Sequence, residues 1–142
     1  MTRTLMRNAI MVMASCLAGA CGDSPTSPVK SLEKIDVVVG TGTEATTGKS
    51  VTVHYTGWLY DESRADHRGL EFDSSLDGGA PFTFIIGVTN VIQGWHQGIV
   101  GMRVGGRRTL VIPPNLAYGS TGSGPIPPNA AIIFDIELLN VQ

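Results

Sequence analysis

Cysteine is nearly absent from this chain: there are two among 142 residues, Cys16 and Cys21, both close to the N-terminus. Past residue 21 there is none, so neither an internal disulfide nor a cysteine metal site can hold the remainder together. Histidine is as sparse, and His54, His67 and His96 lack the spacing of metal ligands. Charged residues make up only 15% of the chain, and the net charge is -2. The one local positive cluster is Arg103, Arg107 and Arg108, whereas a nucleic-acid footprint needs a larger basic face. No apolar run reaches the about 20 residues of a membrane-spanning helix. The Ser/Gly-rich stretch 119–124 contains no G-x-S-x-G and no nearby base, which argues against serine hydrolysis. Gly40-Thr41-Gly42 follows the apolar Val37-Val38-Val39, but no helix pattern comes next and the spacing is not that of a dinucleotide fingerprint.

What the chain does have is glycine and proline, 18 and 8 of them. That abundance, in a length suited to one domain, implies many turns and an all-β or α+β architecture. Short strand patterns occur at Ile35–Val39, Val51–Tyr55, Pro81–Ile86 and Arg108–Ile112. The strongest runs from Ile132 to Val141, with Ile132, Phe134, Ile136 and Leu138 on one face and Asp135 and Glu137 on the other. The alternation at 51–55 puts His54 on the outward, solvated face. Residues 61–68 are charged and read as an exposed loop. The single helix candidate is Val91–Val100, with Asn90 as its N-cap and Ile92, Trp95 and Ile99 as one apolar stripe. A lone short amphipathic helix can bury that stripe only against the sheet, so large apolar side chains line the space between them.

The first 20 residues stand apart. Arg3 and Arg7 precede an apolar, small-residue run from Ala9 to Ala20, about a dozen residues long and therefore the pattern of a signal peptide (1–20). Ala18-Gly19-Ala20-Cys21 resembles a bacterial lipobox, although Leu17 lies one place earlier than usual; Cys16, after Ala14-Ser15, is the alternative. Lipid on Cys21 would make residues 21–32, small, polar and proline-containing, a linker, with 33–142 as the folded domain. Gly22 after the cysteine points, by analogy, to the outer membrane. The expectation is thus a lipoprotein on the periplasmic side of a bacterial cell envelope, touching the membrane only through its anchor.

Most of the nine aromatic residues sit in or beside short words: Val53-His54-Tyr55-Thr56-Gly57, Phe72-Asp73-Ser74-Ser75, Val91-Ile92-Gln93-Gly94-Trp95, Ala117-Tyr118-Gly119, Ile126-Pro127-Pro128-Asn129-Ala130 and Phe134-Asp135-Ile136-Glu137-Leu138. That series, in that order, resembles the FKBP-type peptidyl-prolyl cis-trans isomerases from about Ile35 to Val141. The resemblance implies an α+β fold: an antiparallel, twisted half-barrel sheet wrapped around one short helix, with the active pocket between them. It also implies the chemistry, rotation about X–Pro bonds, which needs no nucleophile, metal or cofactor.

Residue by residue, the resemblance makes Trp95 the pocket floor and Tyr55, Phe82 and Phe134 its walls, with Val91 and Ile92 at the helix entrance. Tyr118 stands at the rim, Ile126 on an overhanging loop, and Phe72 with Asp73 on the opposite lip. Tyr55, Asp73, Tyr118 and Phe134 are the expected catalytic group, the others substrate-binding. Phe84, Trp58 and Tyr60 read as core. Gly78 stands where many members carry an arginine, and the loop after Tyr60 is longer than in minimal members. The implied partners are proline-containing polypeptides and macrolide inhibitors; no nucleic acid, cofactor or metal is expected. With no extra helical segment of the dimerising kind, the chain is expected to be a monomer. The other reading is an FKBP-like binding module or chaperone with little turnover.

Overall fold

The computed structural model describes residues 27–142. The expected signal peptide and Cys21 lie outside the described residues. Among those described, no helix is long and apolar enough to cross a membrane.

The chain forms β1 (Glu33–Val38), β2 (Ser50–Tyr60), β3 (Arg68–Ser74), α1 (Ser75–Gly78), β4 (Phe82–Ile85), α2 (Gln93–Ile99), β5 (Arg107–Ile112), a 3-10 turn (Pro114–Leu116) and β6 (Ile132–Val141). The strands make one antiparallel six-stranded sheet in the order β1-β5-β6-β2-β3, with β4 also on β2. β2 is the hub. Its first half pairs with β4 and its second half with β3, while β6 lies along its other edge. Two register shifts against β3, at Gly57/Trp58 and Trp58/Tyr60, and one against β6, at Thr52/Val53, bend the sheet.

The alternation read from the sequence sets the core. Val51, Val53, Ile132, Phe134, Ile136 and Leu138 are buried on the inner face, together with Leu110 and Ile112 of β5. Ile133 is buried as well, because the outer face is covered there by a second cluster of Val29, Val111 and Ala131 flanked by Trp58 and Tyr60. Each such aliphatic side chain contributes about 1.5–3 kcal/mol on burial.

Seven residues are too few for a helix that stands alone, so α2 exists by packing. Trp95 and Ile99 face the core, and the glycine just before each of them sets the distance to the sheet. A Cβ on Gly94 would come within 2.6 Å of Ile112, and one on Gly98 within 2.6 Å of Leu110. Arg108 closes the far end: Nε pairs with Asp36 at 2.7 Å, while Nη1 donates to Gly98 O at 2.7 Å and Val100 O at 3.1 Å. It thereby satisfies carbonyls that the helix end leaves without a partner.

Several expectations need correction. The helix starts at Gln93 rather than Val91, and its N-cap is Ile92, with extended backbone and no side-chain cap; Asn90 lies outside. Residues 61–68 are not simply a loop. Arg68 already belongs to β3, and 61–67 form a compact turn closed by Asp61 N–H to His67 O (2.8 Å), with His67 stacked on Tyr60. His54 is half-buried, with Nδ1 against Ser75 Oγ at 2.9 Å. α1 was not anticipated; Ser74 Oγ caps it by accepting from Leu76 N–H.

Candidate active site

The inner face of the sheet and the start of α2 enclose a cavity of about 190 Å³. Tyr55, Phe72, Asp73, Phe82, Val91, Ile92, Trp95, Tyr118 and Phe134 line it, nine of the ten pocket residues expected from sequence; Asn90 joins them. The tenth, Ile126, is only 5% exposed and sits in the main core rather than in the cavity wall. As placed, it holds the 118–130 loop from beneath.

Each ring comes from a different part of the fold. Tyr55 stands on β2, Phe134 on the neighbouring β6, Phe72 on β3, Phe82 on β4 and Trp95 on α2. Trp95, 5% exposed, is the floor. Tyr55, Phe134 and Phe82 meet it edge to face, with centroids at 5.0, 5.2 and 5.8 Å and interplanar angles of 69°, 79° and 66°. Phe72 meets Phe134 at 5.6 Å and 86°. Such T-shaped contacts place ring edges against ring faces, worth about 0.5–1.5 kcal/mol per pair beyond the area buried. They also fix the orientation of every wall. Phe84 lies behind the floor, buried, 5.5 Å from Trp95. That is the core role its sequence position predicts. Trp58 and Tyr60 flank the outer-face cluster, away from the cavity.

Two contributors have no obvious sequence signature. Gly57 faces both Phe134 and Phe72: a Cβ there would lie 2.6 Å from Phe134 Cε1 and 2.7 Å from Phe72 Cζ. Its lack of a side chain is what lets this ring pair close over β2. Asn90 lines the cavity from the segment entering α2; its signal, a polar residue just before Val91-Ile92, reads equally well as a helix cap.

The polar groups are few. Tyr55 Oη donates to Asp73 Oδ2 at 2.7 Å. Burial, and then the bond to and charge of Asp73, push the Tyr55 hydroxyl up to about 12. Tyr118 is also raised, by burial first and the Asp73 charge second. Both hydroxyls therefore stay protonated, as donors, through the neutral range. The indole N–H of Trp95 is buried with no partner among the described residues, a cost of about 1–3 kcal/mol carried at the floor. Gly78 stands in open space, with nothing within 4 Å of where a side chain would begin.

His54 bonds to Ser75, His67 stacks on Tyr60, and His96 holds a turn described below; none lines the cavity. Two larger grooves, 390 and 360 Å³, open on the outer face on either side of Tyr60. Neither gathers a set of aromatic rings. At 190 Å³ the inner cavity is smaller than the about 300–1,000 Å³ of drug-sized sites. It admits one ring and its adjoining peptide groups, and leaves the rest of any larger ligand outside.

Comparison with known proteins agrees with this geometry. The sequence signature described as "FKBP-type peptidyl-prolyl cis-trans isomerase" matches residues 41–139. The chain is 50% identical over 107 residues to the FK506-binding protein of Neisseria meningitidis serogroup A, covering 75% of this chain and 92% of that one. It is 40% identical over 134 residues to the peptidyl-prolyl cis-trans isomerase FPR2 of Saccharomyces cerevisiae, covering 94% and 92%. Among solved structures, the crystal structure of AtFKBP13 matches with a TM-score of 0.69 at 44% identity, covering 78% of this chain and 93% of that one.

Proposed function

The chain belongs to the FKBP-type peptidyl-prolyl cis-trans isomerase family, and from that membership we propose how its pocket turns an X–Pro bond and where in the cell it does so. The observation that carries the mechanism is the set of T-shaped rings on Trp95, an aromatic-walled cavity that admits one proline ring and its adjoining peptide groups.

Amide resonance sets the uncatalysed barrier at about 18–20 kcal/mol and places charge on the carbonyl oxygen. Water stabilises that charge. Seated on Trp95, the imide loses the water and meets ring carbons instead, so the planar, polar form is disfavoured relative to the twisted one. Leaving an amide oxygen unpaired costs about 2–7 kcal/mol, while a thousandfold acceleration needs about 4 kcal/mol. Desolvation alone has the required size. Tyr55 is committed to Asp73, so the Tyr118 hydroxyl and the Ile92 N–H are the groups that hold carbonyls flanking the imide. Phe72 and Phe82 cover the residue before proline and favour an apolar side chain there. A macrolide such as the FK506 named for the relatives would place one ring in the cavity and the remainder across its rim. A protease-coupled assay with proline peptides tests the reading. Turnover that fails in Trp95→Leu, in a protein that still folds, supports it; turnover indifferent to Trp95 overturns it.

The cellular setting rests on the sequence. The basic start, the apolar run and the small residues before Cys21 support cleavage there and lipid on that cysteine, and Gly22 supports the outer membrane, facing the periplasm. Exported polypeptides are then the substrates. Val29 is buried on the outer face of the sheet, so the linker expected over 21–32 is packed against the domain from Val29 on, with seven residues, 22–28, between it and Cys21. Seven residues hold the domain within about 25 Å of the lipid. Mass spectrometry of the membrane-extracted chain decides this: lipid on Cys21 is expected, and an unmodified Cys21 sinks it.

A further inference from the structure

His96 follows the pocket floor Trp95 in sequence and takes no part in the cavity wall. Its two ring nitrogens are both engaged, and both by backbone. Gly87 N–H donates to Nδ1 at 2.9 Å, and Nε2 lies 3.0 Å from Thr89 O. A backbone N–H can only donate and a carbonyl only accept. Nδ1 must therefore present its lone pair and Nε2 must carry the proton, so both bonds form only on a neutral imidazole of that one tautomer. Phe84 backs the ring edge-on at 6.0 Å.

The segment held in this way is the approach to the pocket. Gly87 has φ +86°, a conformation that favours glycine. Thr89 O accepts from Val91 N–H at 2.9 Å as well as facing His96, and Thr89 Oγ1 accepts from Ile85 N–H at 2.9 Å. Asn90, Val91 and Ile92, which come next, all line the cavity. A helix side chain thus fixes the turn 87–89 from both ends, and that turn delivers three wall residues and the Ile92 N–H.

We infer that His96 is a proton-sensitive positioning residue for the isomerase: neutral, it clamps the turn that sets Val91 and Ile92 against the substrate, and protonated, it releases that turn. A proton on Nδ1 would face the Gly87 N–H, replacing a bond by two opposed donors. The carboxylates of the neighbouring β1 are Glu33 and Asp36, and Asp36 is paired with Arg108 at 2.7 Å. The turn before β2, joined to residue 86 by Gly48 N–H to Ile86 O and Ile86 N–H to Lys49 O, contributes Lys49, and β1 contributes Lys34, whose Nζ donates to Gln97 O at 3.2 Å. No carboxylate pairs with His96 among the described residues.

The inference rests on the isomerase reading, and two measurements on the full-length chain separate them. In the first, kcat/KM for a Leu-Pro peptide is followed from about pH 8 to about pH 5.5. The wild type should lose about three- to tenfold, the worth of one hydrogen bond, mainly through a rise in KM. His96→Asn keeps an acceptor near the Nδ1 position and cannot charge, so its profile should be level over the same interval. His54 and His67 remain in both proteins and cannot account for a difference. In the second, NMR follows the wild type alone: the Gly87, Val91 and Ile92 amide signals should shift in step with the His96 ring. Parallel pH profiles in the two proteins, or a His96 ring that titrates while Val91 and Ile92 stay still, would overturn the clamp. Amides that move in step in a chain with no turnover at any pH would leave the clamp standing and sink the isomerase reading instead.

Discussion

Asp73→Asn is the substitution whose outcome the site geometry constrains most tightly. Asp73 accepts from Tyr55 at 2.7 Å, and the Tyr55 hydroxyl is raised to about 12 by burial first and Asp73 second. Asparagine keeps an acceptor but removes the charge. Tyr55 should therefore titrate below about 12 in the variant and still above the ordinary tyrosine value, since the larger cause, burial, is untouched. A charge-assisted bond of this kind is worth about 1.5–3 kcal/mol when shielded. Asp73 is exposed and Tyr55 only half-buried, so solvent screens the bond to about 1 kcal/mol, and kcat/KM should fall by no more than about fivefold. The linkage has a definite sign. Because the folded value lies above the unfolded one of about 10, the protonated hydroxyl stabilises the fold fully below about pH 10, and that contribution is lost as pH rises through about 12. Ultraviolet titration of tyrosinate, with the Tyr55 signal assigned by Tyr55→Phe, provides the assay. A Tyr55 that ionises at the ordinary value in the wild type, or one indifferent to Asp73→Asn, would refute the reasoning.

Other outcomes follow from the same contacts. Gly57→Ala forces a methyl into the Phe72–Phe134 contact and should cost about 1–3 kcal/mol of stability by chemical denaturation, with a loss of kcat/KM as the rings part. Tyr118→Phe should lower kcat/KM about two- to twelvefold with little change in unfolding midpoint, because it removes one hydroxyl and almost no volume. Arg108→Met removes the donor to Gly98 O and Val100 O and should destabilise by about 2–4 kcal/mol in a melting experiment, chiefly from carbonyls left without partners; Asp36→Asn, at the exposed end of the same pair, should cost far less.

The inner sheet face was legible because its strands alternate. Val51, Val53 and the even positions from Ile132 to Leu138 are apolar for the reason they are buried. The pocket aromatics were legible only as words in order; periodicity alone does not separate Trp95, which lines the cavity, from Phe84, which lies behind it. β3 escaped notice because Arg68-Gly69-Leu70-Glu71 carries no alternation: Leu70 is 61% exposed, and the pairing with β2 slips twice. α1 did leave a trace, since Ser74 precedes Asp77 by three residues in the manner of a capping box. Asn90 misled because its preference for N-caps is real, yet the grip of His96 on the turn before it brings the chain into α2 extended, at Ile92. Capping rules cover only side chains that bond backbone within a turn of their own position, whereas His96 reaches back nine and seven residues, to Gly87 and Thr89. The role of Gly57 was hidden for a related reason, because an absent side chain reveals what it admits only when the neighbours are in place.

The central claim is that the pocket speeds rotation by desolvating the imide, with no proton transferred. Turnover of a Leu-Pro peptide by the full-length chain, measured by protease coupling in H2O and again in D2O, tests it most directly. The account predicts clear acceleration over the uncatalysed rate, a ratio of rates between the solvents close to one, and slower turnover of the matching Glu-Pro peptide. A rate no faster than solution would contradict the function. Acceleration with a several-fold slowing in D2O would contradict the mechanism, by placing a proton transfer in the rate-limiting step.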